Sequence, residues 1–148
     1  MDTTKRPTSS LPRGPRKIYV LHPFKGAGRP GERAANFVRI GDICKEIVRL
    51  GHIPISPIHA LSFLNDENEQ ERAAAIRLCR PYIELADEVW AFVIASRAFN
   101  HKAGTLEEKW IESAGCRADH DHAAQLGKFI TYHLYEPLDV CETTPRSV

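Results

Sequence analysis

Two carboxylates, Asp87 and Glu108, are either acids that assist bond breaking or, respectively, a strand-end or capping acid and a solvated helix acid. Asp87 opens the apolar strand Ala86-Asp87-Glu88-Val89-Trp90-Ala91-Phe92-Val93, and Glu108 follows Gly104 in the next segment. A carboxylate close to the anomeric carbon of a sugar can stabilise the positive charge that builds as a base departs, or bond to that carbon. A second acid can protonate the leaving base. That acid must keep its proton near neutral pH, which requires burial or a like-charged neighbour. The ligand side comes from Lys17-Ile18-Tyr19-Val20-Leu21-His22-Pro23-Phe24-Lys25-Gly26, an apolar strand that ends in a turn carrying a proline, an aromatic ring, a cation and a glycine. Such a turn delivers a loop to a small anionic ligand at the edge of a parallel sheet. Pro23, Phe24, Lys25 and Gly26 are therefore candidate ligand contacts. Phe24 either stacks on a base or closes the core. Lys25, Arg29 and Arg33 either meet a phosphate near a helix N-terminus, where backbone donors and the dipole favour anions, or are surface cations. His59 either reaches the site or is an ordinary loop histidine.

Positioning these groups requires alternating strands and helices. The near-continuous apolar run from Lys17 to Leu21 suits a strand covered on both faces. Residues 33–50 read as a helix, because Phe37, Ile40, Gly41, Cys44, Ile47 and Val48 recur at helical spacing, and Gly51 ends it. His52 to Pro57 reads as a short strand, put at the sheet edge by Pro54 and Pro57. A loop follows over 58–68 and a helix over 69–85, which Pro81 is expected to kink or interrupt. Residues 88–94 form the third strand, 95–103 a loop and 105–114 a helix whose Leu106, Trp110 and Ile111 face the sheet. Residues 115–127 fit a loop or a helical extension, and 128–135 the last strand. This order predicts an α/β fold: a flavodoxin- or Rossmann-like three-layer sandwich around a mainly parallel sheet of about four or five strands. Its ligand site belongs at the carboxyl ends of the strands, in the loops after Leu21 and Ile94.

Composition narrows the classes. The chain of 148 residues is 43% hydrophobic, enough for one domain with one core. Residues 1–16 and 139–148 read as loose tails around a domain over 17–138. Lys5, Arg6, Arg13 and Arg16 read as solvated tail cations rather than a nucleic-acid contact. With 20 Lys and Arg against 19 Asp and Glu, a general polyanion binder is disfavoured, and no nucleic acid is expected. Cys44, Cys79, Cys116 and Cys141 form no Cys-x-x-Cys pair, which disfavours a zinc ribbon; Cys44 and Cys79 read as core thiols. Asp119-His120-Asp121-His122 lacks a helical His-x-x-x-His spacing and reads as a polar loop, so no metal is expected. Gly26-x-Gly28 is not a dinucleotide fingerprint and no Gly-x-Ser-x-Gly elbow occurs, so no nicotinamide cofactor, nor any other, is expected. Without a leader pattern or an apolar stretch of membrane length, the expected location is cytoplasmic, away from membranes.

Taken in order, these segments resemble the nucleoside 2-deoxyribosyltransferase-like superfamily over about Lys17 to Tyr135. The resemblance rests on Lys-Ile-Tyr-Val-x-x-Pro-Phe-Lys-Gly, on Asn36 at the start of the first helix, on Gly51-His52-Ile53-Pro54-Ile55-Ser56-Pro57, on Arg72, and on Ala86-Asp87-Glu88-Val89-Trp90. It also rests on Gly104-Thr105-Leu106-Glu107-Glu108, which matches the spacing of a Ser-x-Gly-x-x-x-Glu or Asp-x-Gly-x-x-x-Glu element. It implies cleavage or transfer of the N-glycosidic bond of a nucleoside or nucleoside 5′-monophosphate. Glu108 would be the nucleophile and Asp87 the acid that handles the base. Pro23, Phe24, Lys25, Gly26, Asn36, His59, Lys102 and Gly104 would surround the substrate, in a homo-oligomer. His22 replaces the usual Gly, and Lys102 stands where Ser or Asp is usual. These departures motivate an alternative, a non-catalytic module that senses or sequesters a nucleotide. A further alternative is a Toll/interleukin-receptor-type NAD-cleaving domain.

Overall fold

The computed structural model describes residues 14–26 and 28–136. The tails assigned to 1–16 and 139–148 therefore lie largely outside the described residues, as does Cys141. The element order is β1 (Lys17–Leu21), α1 (Glu32–Arg49), β2 (Ile53–Ile55), α2 (Pro57–Ala60), α3 (Glu69–Leu85), β3 (Glu88–Asn100), β4 (Thr105–Trp110), α4 (Ala114–Gln125) and β5 (Phe129–Leu134). The fold is α/β, with five strands flanked by helices on both faces. β2, β1, β3 and β5 run parallel in that spatial order, and β4 pairs antiparallel with the distal half of β3. From β1 the chain goes first to β2 on one side and later to β3 on the other. The strand order reverses between β1 and β3, the place where open α/β sheets bind ligands.

Alternation along the strands builds two cores. Ile18 and Val20 of β1 and Phe92 of β3 pack with Ile40 and Ile47 of α1. Tyr19 and Leu21 of β1 and Val89, Ala91 and Val93 of β3 pack with Ile83 of α3 and with Cys116 and Ala123 of α4. Because both faces are covered, Ile18–Leu21 of β1 and Val89–Ile94 of β3 are apolar at every position. Each fully buried isoleucine contributes about 1.5–3 kcal/mol relative to exposure. Cys44 and Cys79 are partly buried. β2 is an edge strand, as Pro54 requires, while Pro57 opens α2 instead. No helix among the described residues is long and apolar enough to cross a membrane.

Several local expectations need correction. Helix α3 is not interrupted at Pro81. Pro81 and Arg77, whose carbonyl loses its helical partner, both lie on the exposed side, open to solvent. The loop over 58–68 contains the short helix α2, capped by Ser56. The third strand does not stop at Ile94 but runs to Asn100, and residues 105–110 are a strand, not a helix. Here a two-residue period wins: Leu106, Glu108 and Trp110 share one face, and Thr105, Glu107 and Lys109 the other. Asn100 closes the turn by accepting bonds from the Lys102 and Ala103 amides, each at 3.0 Å, and Gly104 supplies the positive φ of 70°. Residues 114–125 form α4, so the Asp119–His122 run is helical, not a loop. Arg16 joins the fold: its Nε lies 2.6 Å from buried Glu88, and its amide donates to His52 Nδ1 at 3.1 Å.

Candidate functional site

At the carboxyl ends of the parallel strands lies a cleft of about 960 Å³. Its floor is the loop that leaves β1, from His22 to Gly26. One wall is the segment after β2, with Pro57, Ile58, Leu61 and Leu64. The opposite wall combines Cys79 of α3 with Ser113, Gly115, Cys116 and Asp119 at the start of α4. The floor loop is braced from below by α1. Asn36, only 1% exposed, donates its side-chain amide to the Phe24 carbonyl at 2.9 Å. Buried Glu32 accepts from the Arg29 amide at 3.1 Å and from the Tyr135 hydroxyl at 3.4 Å. Gly26 has φ 60°, and a Cβ there would overlap the Glu32 carboxylate, so only glycine fits this turn. Arg33 ties the wall to the floor: its guanidinium lies 2.7 Å from the Asp66 carboxylate and 6.0 Å from the Phe24 ring centre.

The wall formed by α4 brings a serine, an open glycine and a partly buried carboxylate to the cleft. Ser113 caps the helix, its hydroxyl oxygen accepting from the Cys116 amide at 3.2 Å. Gly115 faces open space; a Cβ there would touch nothing within 4 Å. The first-turn N–H groups of a helix lack intrahelical partners and favour anions. One turn further in, Asp119 borders the cleft and accepts a bond from the Tyr19 hydroxyl at 3.4 Å. Burial raises the Asp119 carboxyl above the usual carboxylate range, and the Tyr19 bond, Arg80 and His122 pull it partly back. Burial, with the Asp119 charge beside it, holds the Tyr19 hydroxyl well above its ordinary pKa, so it remains a donor. Burial also raises Cys79, and Cys116 to about 11, which keeps both thiols protonated. The arrangement is an oriented, partly desolvated carboxylate beside a helix N-terminus, facing an aromatic and cationic floor.

His22 lies in the floor, buried between Phe92 and Tyr135 with ring centres 5.4 and 5.3 Å away. Its Nδ1–H donates to the Pro23 carbonyl at 2.8 Å, and burial lowers its pKa to about 4. The imidazole is therefore neutral at physiological pH.

Of the residues singled out from sequence, Pro23, Phe24, Lys25 and Gly26 line the cleft together. Asn36 supports them from beneath. His59 stands behind the wall, stacked on Phe37 at 4.0 Å with its Nδ1 2.9 Å from the Ser56 hydroxyl. The remaining four lie elsewhere. Asp87 sits at the amino end of β3, opposite the cleft, where it accepts from the Lys17 amide at 2.7 Å and pairs with Lys17 Nζ at 3.5 Å. Glu108 is on β4, exposed and held by Arg97 at 2.8 Å, and it does not line the cleft. Lys102 and Gly104 form the exposed turn before β4. The cause is the strand character of 105–110, which carries Glu108 outward along a hairpin rather than inward along a helix. The group missed was Ser113, Gly115 and Asp119. Their spacing, Ser-x-Gly-x-x-x-Asp, was visible in the sequence, but Asp119 was read with its histidine neighbours as loop. Among the described residues, no group of three or more His, Cys, Asp and Glu could hold a metal ion.

No curated protein matches the sequence. The model of one family, a domain of unknown function (DUF7768), matches residues 16–133, from Arg16 at the foot of β1 almost to the end of β5. The chain therefore belongs to the DUF7768 family.

Proposed function

We propose that the cleft binds a nucleoside or nucleoside 5′-monophosphate and that Asp119 attacks its anomeric carbon, cleaving or transferring the N-glycosidic bond. One observation carries this reading. A Ser-x-Gly-x-x-x-acid element opens α4 on the same cleft as the Pro23–Gly26 loop, with its acid desolvated and oriented by Tyr19. The Pro23–Gly26 loop belongs to the resemblance to nucleoside 2-deoxyribosyltransferase-like proteins, and Ser113-x-Gly115-x-x-x-Asp119 repeats the spacing of that family's Ser-x-Gly-x-x-x-Glu element, with aspartate in place of glutamate and α4 in place of the Gly104–Glu108 segment. In the reaction, an Asp119 oxygen bonds to the anomeric carbon as the carbon–nitrogen bond breaks. The electron pair leaves with the base, which takes a proton from water. Water, or a second base, then takes the sugar and releases the carboxylate. Phe24, Ile58 and Leu64 offer apolar surface to a base. The N-terminus of α4, Lys25 and Arg72 offer positive potential to a phosphate.

The test is incubation of the full chain with a panel of nucleosides and their 5′-monophosphates, followed by chromatography for free base. Release of base from at least one compound is expected. Tight binding with every compound recovered intact would instead favour a sensing or sequestering module. That second reading has one observation in its favour: aspartate is one methylene shorter than glutamate, and so reaches less far into the cleft. Absence of both turnover and binding would contradict both readings.

A further inference from the structure

Beyond Ile94 the chain builds an arm. The distal half of β3 and all of β4 leave the sheet as a two-stranded ribbon, and every residue from 95 to 109 is exposed except half-buried Asn100. The arm has two unlike faces. Ser96, Ala98, Asn100, Thr105, Glu107 and Lys109 share a polar face suited to water. The other face pairs Phe99 with Leu106 and Arg97 with Glu108 across the strands, and continues to Trp110 at the base. Phe99 is 52% and Leu106 60% exposed. An isolated two-stranded ribbon is marginal in water, and an amphipathic one needs something against its apolar side. Toward the tip Phe99 meets only the edge of the His101 ring, at 4.9 Å, among the ring contacts of the described residues, whereas Trp110 at the base is packed by Arg117 and His120.

We propose that the Phe99 face of this arm pairs with the same face of a second copy of the chain, about a two-fold axis. The charge pattern selects that occupant. The face carries one cation and one anion side by side, Arg97 and Glu108 at 2.8 Å, with no net charge. A polyanion or a strongly charged partner would leave one of the two opposed. A two-fold mate brings Arg97 of one copy to Glu108 of the other, and the reverse, while the Phe99–Leu106 pairs close over each other. This is the self-complementarity that an isologous interface requires. The arm base leads at once to Ile111, Glu112 and Ser113 of the cleft wall, so pairing would also steady that wall. The proposal stands independently of the chemistry assigned to the cleft.

Sedimentation velocity on the full chain tests it. The wild type should sediment as a concentration-dependent dimer. Phe99→Asp with Leu106→Asp should shift it to monomer, with the far-UV circular dichroism of the fold retained. Arg97→Glu alone and Glu108→Arg alone should each be monomeric, because each places like charges across the axis. An equimolar mixture of these two variants should dimerise again, since every cross-axis contact then joins opposite charges. Repair of a pair within one chain cannot give that result. The proposal is overturned by a wild type that stays monomeric at all concentrations, with its arm covered by its own residues 137–148 or left bare. A dimer that survives the aspartate substitutions, or a variant mixture that remains monomeric, also overturns it.

Discussion

Burial pushes the Asp119 carboxyl and the His22 imidazole in opposite directions along the pH axis, because in each it disfavours the charged form. For His22 the sign follows directly. Between about 4 in the fold and 6.5 unfolded, the unfolded chain binds the extra proton, so stability rises with pH across that window and is lost as pH falls through it. The size is on the order of 3 kcal/mol. Urea melts at a series of pH values should show this slope, and His22→Gln should flatten it. Asp119 acts oppositely. Its folded pKa lies above its unfolded one, so ionising it in the fold costs stability as pH rises through that interval. Asp119→Asn should therefore fold at least as stably as the wild type at neutral pH, which makes it a clean probe of activity. Gly26 offers a third residue-scale prediction. Gly26→Ala forces a positive φ on alanine and drives its methyl group into Glu32. A loss of about 1–3 kcal/mol in chemical denaturation is expected.

At the scale of elements, α1 acts as the brace for the His22–Gly26 loop. Its Asn36 amide holds the Phe24 carbonyl from the buried side. Asn36→Ala leaves that carbonyl without its partner, with an expected cost of about 1–3 kcal/mol in denaturant melts. It should also weaken ligand binding, although the side chain lines no part of the cleft. The same scale explains what the sequence disclosed. β1, α1, β2 and α3 could be read because their apolar spacing is long and regular, and because Gly51 and Pro54 mark boundaries by backbone chemistry. The hairpin could not be read as easily. Over Thr105–Trp110 the residues Leu106 and Trp110 fit a four-residue helical spacing as well as a two-residue strand spacing. Only the pairing with β3 decides between them. Helix α4 was obscured for a related reason: its surface is polar, and its buried contacts come from Cys116 and Ala123, neither a strong hydrophobic signal.

For the whole molecule, what matters is which end of the sheet a residue occupies. The floor loop was found because the carboxyl end of β1 could be inferred from strand order. Asp87 was misassigned because an acid at a strand's amino end looks, in one dimension, much like an acid at its mouth. In three dimensions it fixes the opposite edge, holding the Lys17 amide. Asp87→Ala should cost about 1–3 kcal/mol of stability by stranding that amide, yet leave base release by the folded protein unchanged. The arm divides the molecule in the same way, sending Glu108 outward while Asp119 stays beside Tyr19. The most direct measurement of the central claim compares base release by the wild type, Asp119→Asn and Glu108→Gln under identical conditions. The prediction is a loss of at least about 100-fold for Asp119→Asn and a wild-type rate for Glu108→Gln. A wild-type rate in Asp119→Asn, or a comparable loss in Glu108→Gln with the fold retained, would contradict it.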